Sequence, residues 1–105
     1  MRLLLDECVT RYIKRDLGTH QVDTLQDARF KGLKNGVLLR AASGKYDVLI
    51  TVDQNIPFQQ NLGTFTIAVL ILIARNNTYA MLKPLVPNAL AVLETIQPGD
   101  MIRVR

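Results

Sequence analysis

The 105-residue chain has one cysteine, one histidine and no long apolar run. Cys8 has no partner for an internal disulfide, which predicts a reducing, cytoplasmic environment. The only histidine, His20, sits in a Gly-Thr-His-Gln turn and reads as a surface residue; a zinc site built on several histidines is excluded. Neither a Walker pattern nor GxGxxG occurs, which argues against a nucleotide-driven motor or a dinucleotide enzyme. The longest apolar run, Ile67 to Ala74, is far shorter than the roughly 20 residues of a membrane-spanning helix. No basic segment followed by a cleavable apolar stretch opens the chain. The expectation from these absences is a soluble cytoplasmic protein with no membrane partner.

What is present is a 49% hydrophobic chain, enough for one core in one domain over residues 1–105. The net charge of +4, from 13 basic and 9 acidic residues, is modest, and its placement says more than its size. Arg11, Lys14 and Arg15 follow an acidic pair, and Arg29, Lys31 and Lys34 cluster in one loop-like stretch. A solvated basic surface and a nucleic-acid groove are both consistent with that pattern.

Apolar periodicity divides the chain into alternating strands and helices. Arg2 to Leu5 reads as a buried strand. Val9 to Leu17 reads as a helix with Val9, Tyr12, Ile13 and Leu17 on its inner face and Gly18 as its stop. Gln21 to Leu25 is a second strand, Phe30 to Asn35 an irregular basic stretch, and Asn35 to about Lys45 a helix. Asp47 to Val52 is a third strand. Asn55 is placed to cap a short helix through Leu62, with Pro57 in its first turn. Thr66 to Ala74, apolar and rich in β-branched residues, reads as a strand covered on both faces. Leu82 to Ile96 keeps helical spacing through Pro84 and Pro87, hence a kinked helix or two collinear ones. Ile102 and Val104 alternate with arginines in a final edge strand after the Pro98-Gly99-Asp100 turn. The pattern predicts an α/β fold: a central, mainly parallel sheet flanked by helices in three layers, joined by right-handed crossovers.

Two apolar strands end in carboxylates: Leu3-Leu4-Leu5-Asp6-Glu7 and Val48-Leu49-Ile50-Thr51-Val52-Asp53. Ligands of open parallel sheets bind beyond the carboxyl ends of the strands. Two aspartates meeting there repel each other unless a proton or cation intervenes, and a hard cation such as Mg²⁺ or Mn²⁺ suits oxygen ligands. Asp6 and Asp53 are therefore the candidate metal ligands, with Glu7 beside them. The alternative for Asp6 is a helix N-cap, with Glu7 favouring the helix dipole. Asn55 has two readings, ligand or cap. Gln59, Gln60 and Asn61 are either a phosphate-reading cluster or the wet face of a short helix. Cys8 lacks a histidine base, which leaves little for a cysteine nucleophile.

The Asp6-Glu7 motif, Lys31-Gly32 followed by Asn35-Gly36-x-Leu38-Leu39, and Asp47-Val48-Leu49-Ile50-Thr51-x-Asp53-x-Asn55 together resemble the PIN-like proteins of the VapC-toxin superfamily. More narrowly, they resemble its small one-domain bacterial members; Leu70-x-Leu72-x-Ala74-x-Asn76 suits that group too. The resemblance spans nearly the whole chain and rests on the order and spacing of short motifs. It implies a three-layer PIN-like fold and a Mg²⁺- or Mn²⁺-dependent ribonuclease, the toxin of a toxin–antitoxin pair. Asp6 and Asp53 match the family's acids after the first and later strands, with Glu7 joining them as a catalytic candidate. Asn35, Asn55, Arg11, Lys14, Lys31 and Lys34 are the expected substrate-binding residues. RNA and an antitoxin protein are the expected partners, with a homodimer as the candidate assembly. The chain departs from the family at Val37, where relatives often carry glutamate, and at Asn55, where a further acid is usual. A degenerate module that binds protein or RNA without cleaving is therefore the competing reading. A flavodoxin-like or receiver-like domain also uses acids at strand ends, but Arg75 stands after the Ile67 to Ala74 run, where that reading asks for a lysine.

Overall fold

Period-two alternation in the apolar runs sorts the strand side chains onto two faces of one sheet. In the computed structural model, residues 1–54 and 59–105 are described, residues 35 and 59–61 by backbone alone. The strands β1 (Arg2–Leu5), β2 (Gln21–Thr24), β3 (Val48–Thr51), β4 (Ala68–Leu72) and β5 (Met101–Val104) lie in the order β2-β1-β3-β4-β5. Every neighbouring pair is parallel, the edge strand β5 included. Leu3, Leu5, Val48, Ile50, Leu70 and Leu72 face one core; Leu4, Leu49, Val69 and Ile71 face the other. β3 and β4 are buried along their whole length, which is why they read as unbroken apolar runs rather than alternating ones.

Helices cover both faces, making the three-layer α/β architecture that the alternating elements predicted. α1 (Asn35–Ala42) packs Leu38, Leu39 and Ala42 against the Leu4 face, joined by Leu62 from the 3-10 helix Gln59–Thr64. The Leu3 face carries the 3-10 helix Arg11–Asp16, α2 (Tyr79–Leu82) and α3 (Val86–Leu93). A 3-10 turn, Lys83–Leu85, joins α2 to α3, with Pro84 and Pro87 in first turns where a missing N–H is tolerated. The expected proline-broken helix is thus present, beginning earlier, at Tyr79. α1 is shorter than expected: it stops at Ala42, with Ser43 already extended and Gly44 at φ 81°. Its N-cap position is Lys34, which makes no side-chain capping bond. The capping role of Asn55 and the place of Pro57 lie outside the described residues, as do the side chains of Gln59, Gln60 and Asn61.

Two expectations are corrected. The first concerns the segment after β1, which forms a 3-10 helix and not an α-helix. Thr10 caps it, its hydroxyl accepting from the Tyr12 N–H at 3.4 Å, so Asp6 is not the cap. With about three residues per turn, Tyr12 lies a third of a turn from Ile13. Tyr12 is 52% exposed, while Val9, Ile13 and Leu17 are buried as expected. The second concerns handedness. The β1-to-β2 and β4-to-β5 connections pass over the same face but step in opposite directions along the sheet, so their hands are opposite. One crossover therefore departs from the right-handed rule. The β2-to-β3 and β3-to-β4 connections cross the other face and share the hand of β1-to-β2, leaving β4-to-β5 as the exception. Its consequence is local: α2 comes to rest beside the 11–16 helix. Tyr79 meets Tyr12 edge-to-face with ring centroids 6.3 Å apart and donates from its hydroxyl to Asp16 at 2.5 Å. Among the described residues no helix is long and apolar enough to cross a membrane.

Candidate active site

β1 has β2 on one side and β3 on the other, so the chain leaves it in opposite directions and a crevice opens past the strand ends. The Asp6 N–H donates to the Ile50 carbonyl at 2.9 Å, extending the β1–β3 ladder by one residue and fixing where the carboxylate emerges. The Asp6 carbonyl then accepts from the Val9 N–H at 3.0 Å, which turns the chain out of the sheet. Of the two carboxylate oxygens, one accepts from the Glu7 N–H at 2.8 Å and the other from the Thr51 hydroxyl at 2.8 Å. Each oxygen keeps acceptor capacity toward the crevice.

Thr51 organises this corner. At 2% exposure it is the one buried polar residue among those described. Its single hydroxyl proton goes to Asp6, so its lone pairs accept from the Asp53 N–H at 3.1 Å and from the Cys8 thiol at 3.5 Å. The hydroxyl is then saturated and cannot also ligate a cation. Its effect is to tie the ends of β1 and β3 together through one atom.

Asp6 and Asp53 line one cavity of about 340 Å³, along with Glu7, Cys8, Lys34 and Leu38. Asp6 is half-buried and Asp53 exposed. Glu7 stands at the rim, its carboxylate accepting from the Gly32 N–H at 2.6 Å, which clips the 30–34 loop to the strand end. Lys34 also lines this cavity. Val37, 58% exposed, is not in the lining, whereas Lys34 and Leu38 from the start of the same helix are. The side chain of Asn35 and all of Asn55 lie outside the described residues. Among the described residues no three His, Cys, Asp or Glu side chains gather as a cation cage. Two carboxylates lining one open cavity still match the way Mg²⁺ is held, by one or two carboxylates with the remaining positions left to water and substrate phosphate.

Arg11, Lys14 and Lys31 line two further depressions. A neighbouring depression of about 420 Å³ shares Asp6 and Glu7 with it and adds Arg11 and Lys31. A third, about 660 Å³, shares Arg11, Thr24 and Gln26 with the second and adds Tyr12, Lys14 and Arg15. Through these shared residues the three depressions adjoin in series from the carboxylates to the 11–16 helix, a series we term the trough. Lys14 differs from its neighbours because it pairs with Asp27 at 3.3 Å. The Thr24 N–H and then Lys14 hold the Asp27 carboxyl below the usual carboxylate range. Hydrogen bonding to Tyr79 raises Arg15 above its ordinary value.

Several participants carry no role in the sequence reading. Thr51 is one, although a hydroxyl inside an otherwise apolar buried strand is a signal that something must satisfy it. Asn77 is another: its side-chain amide donates to the Cys8 carbonyl at 3.0 Å and binds the loop after β4 to the site. No local pattern marks that contact, which spans 69 residues. No protein-family model, curated protein or solved structure matches this chain.

Proposed function

We propose that the chain is a divalent-cation-dependent ribonuclease, with Asp6 and Asp53 as the cation's protein ligands. The observation that carries the proposal is that Asp6 and Asp53 line one open cavity at the sheet's switch point. The resemblance to PIN-like toxins supports the choice of RNA and of Mg²⁺ or Mn²⁺, and extends the proposal to a cytoplasmic toxin restrained by an antitoxin protein. When bound, such an ion supplies charge neutralisation at a phosphodiester and activation of the attacking water.

The chain's own residues do the rest. Thr51 and the Glu7 N–H orient the Asp6 carboxylate, leaving it little freedom to lose on binding. Lys34 faces the same cavity and offsets phosphate charge. Arg11 and Lys31, one depression away, hold the flanking backbone. Glu7 acts through position: bonded to Gly32, it shapes the rim and keeps Lys31 and Lys34 near the carboxylates.

The test is cleavage of a mixed single-stranded RNA pool in Mn²⁺, with EDTA and Asp53→Ala as controls. Slow cleavage abolished by both is expected; cleavage that survives either one overturns the proposal. The sparse acidic set among the described residues favours one second reading, a PIN-like module that binds RNA or protein without cutting. Absence of cleavage under every condition, with harmless expression in the host, would select it.

A further inference from the structure

The far end of the trough has a composition that the carboxylate end lacks. Tyr12 is 52% exposed on a short surface helix, an unusual place for a large ring with no core to fill. Arg11 and Arg15 lean on it, their guanidinium carbons 5.5 and 5.8 Å from the ring centroid. Arg15 also lies 5.1 Å from the centre of Tyr79, and Lys83 5.6 Å from the same ring. Among the described residues the only ion pair is Lys14 with Asp27, so neither arginine is committed to a carboxylate. Cation–π contacts restrict a guanidinium without using its N–H groups, so Arg11 keeps its whole fork for a phosphate, while Arg15, also hydrogen-bonded to Tyr79, keeps its remaining donors. Arg11, Tyr12 and Arg15 line the third depression, which adjoins the second through Arg11, and the second adjoins the carboxylate cavity through Asp6 and Glu7.

We propose that the Arg11–Tyr12–Arg15 face grips single-stranded RNA on its way to the carboxylate cavity, with phosphates on the two arginines and an unpaired base against the Tyr12 ring. The inference deepens the ribonuclease reading and rests on it for the choice of RNA. Interleaved cations and aromatic faces are how single strands are held without sequence readout. A duplex keeps its bases stacked inside and offers Tyr12 nothing flat. An acidic peptide would engage the arginines but leave the ring without a stacking partner.

The experiment is fluorescence anisotropy with a labelled, unstructured oligoribonucleotide in EDTA, so that binding is read without cleavage. Tyr12→Ala is expected to bind about tenfold or more weakly, while Tyr12→Phe keeps wild-type affinity. Arg11→Gln combined with Arg15→Gln should lower the slope of log affinity against log salt by about 1.4, two phosphate contacts on a single strand. Asp53→Asn should bind at least as well as wild type. All these side chains are on the surface, and thermal melts of each variant check that it is folded. Unchanged affinity and salt slope in the Tyr12 and arginine variants overturn the inference, as does equal affinity for duplex RNA. Equal displacement by polyglutamate would mark a site for an acidic peptide and also overturn it. Cleavage of the same oligomer in Mn²⁺ separates the two proposals. Cleavage without a Tyr12 effect removes this inference alone, and Tyr12-dependent binding without cleavage removes the nuclease reading alone.

Discussion

At one end of the trough, Asp6 is fixed by a strand ladder and by a saturated threonine buried beneath it; at the other, Arg11 and Arg15 rest on tyrosine rings at the surface of a 3-10 helix. The first end is apolar-walled and acidic, the second aromatic and basic. The difference follows from what each end is built on. Strand ends of a buried sheet hold a side chain through backbone bonds that cannot shift without unzipping the sheet. A surface helix holds its side chains only through neighbours that water also contacts, so its contacts adjust to a ligand. On the proposed reading, fine positioning belongs to the carboxylate end and tolerant grip to the basic end.

The largest effect separating the two is expected from Asp6→Asn. The amide is nearly isosteric but uncharged, and on the proposed reading it removes one of two cation ligands, at a cost of several kcal/mol. Initial cleavage rates in Mn²⁺ should fall on the order of 10²- to 10³-fold, with RNA affinity in EDTA unaltered. A rate within a few-fold of wild type would show that the ends do not divide the work in this way.

Thr51→Val comes next, and it reads the rigidity of the carboxylate end directly. The variant strands one Asp6 oxygen and the Asp53 N–H without their shared partner, at a cost of about 1–3 kcal/mol in urea unfolding. Thr51→Ser keeps the hydroxyl and should recover most of that loss. Equal stability of the valine and serine variants would mean that the hydroxyl is not what joins β1 to β3.

Smaller effects come from titration, and two groups move in opposite directions. Asp27 has its carboxyl lowered by the Thr24 N–H and by Lys14. Its contribution is complete above the ordinary carboxylate range and disappears as pH falls through the lowered value. Both partners are nearly half exposed, so the contribution stays within about 0.2–1 kcal/mol, and Asp27→Asn should flatten the acid limb by that much. Tyr46 is raised from 10 to about 12 by burial and by its 2.6 Å hydrogen bond to Asp23. Its contribution is complete below pH 10 and is lost as pH climbs toward 12. Ultraviolet titration should find a late tyrosinate step that Tyr46→Phe removes. A high-pH limb that Tyr46→Phe leaves unchanged would contradict this.

The smallest effect is on stability at the basic end. Tyr12→Ala should change unfolding free energy by no more than about 0.5 kcal/mol, as an exposed substitution away from the core does. A larger loss would make the ring a structural prop between the 11–16 helix and α2 rather than a surface for a ligand.

The strands and the carboxylates were the legible part of this chain. Apolar runs bounded by turn residues located the five strands to within a residue or two, β3 and β4 most plainly, because a strand buried on both faces can hold almost nothing but apolar side chains. The acids at the ends of β1 and β3 stood out for the same reason, as charges placed where an apolar run stops. The winding of residues 11–16 was not legible, since 3-10 and α-helical segments bury similar spacings and differ only in how neighbouring residues are distributed around the axis. Tyr12 was therefore assigned to the core and found on the surface. Lys14 read as one more cation for RNA, whereas Asp27, thirteen residues on, takes its charge.

Composition and periodicity by themselves determined an α/β sheet with helices on both sides and two aspartates at strand ends. Which strands are neighbours, and hence that Asp6 and Asp53 share one cavity, was decided by the tertiary structure. So was the side on which α2 and α3 pack. The physical reason is that periodicity records which residues are buried but not against what. An apolar stripe on α2 or α3 would satisfy either face of the sheet equally well as a pattern. Only the packed chain brings Leu82 and Val86 into the core with Ile13 and Leu17, and Tyr79 onto Tyr12 and Arg15.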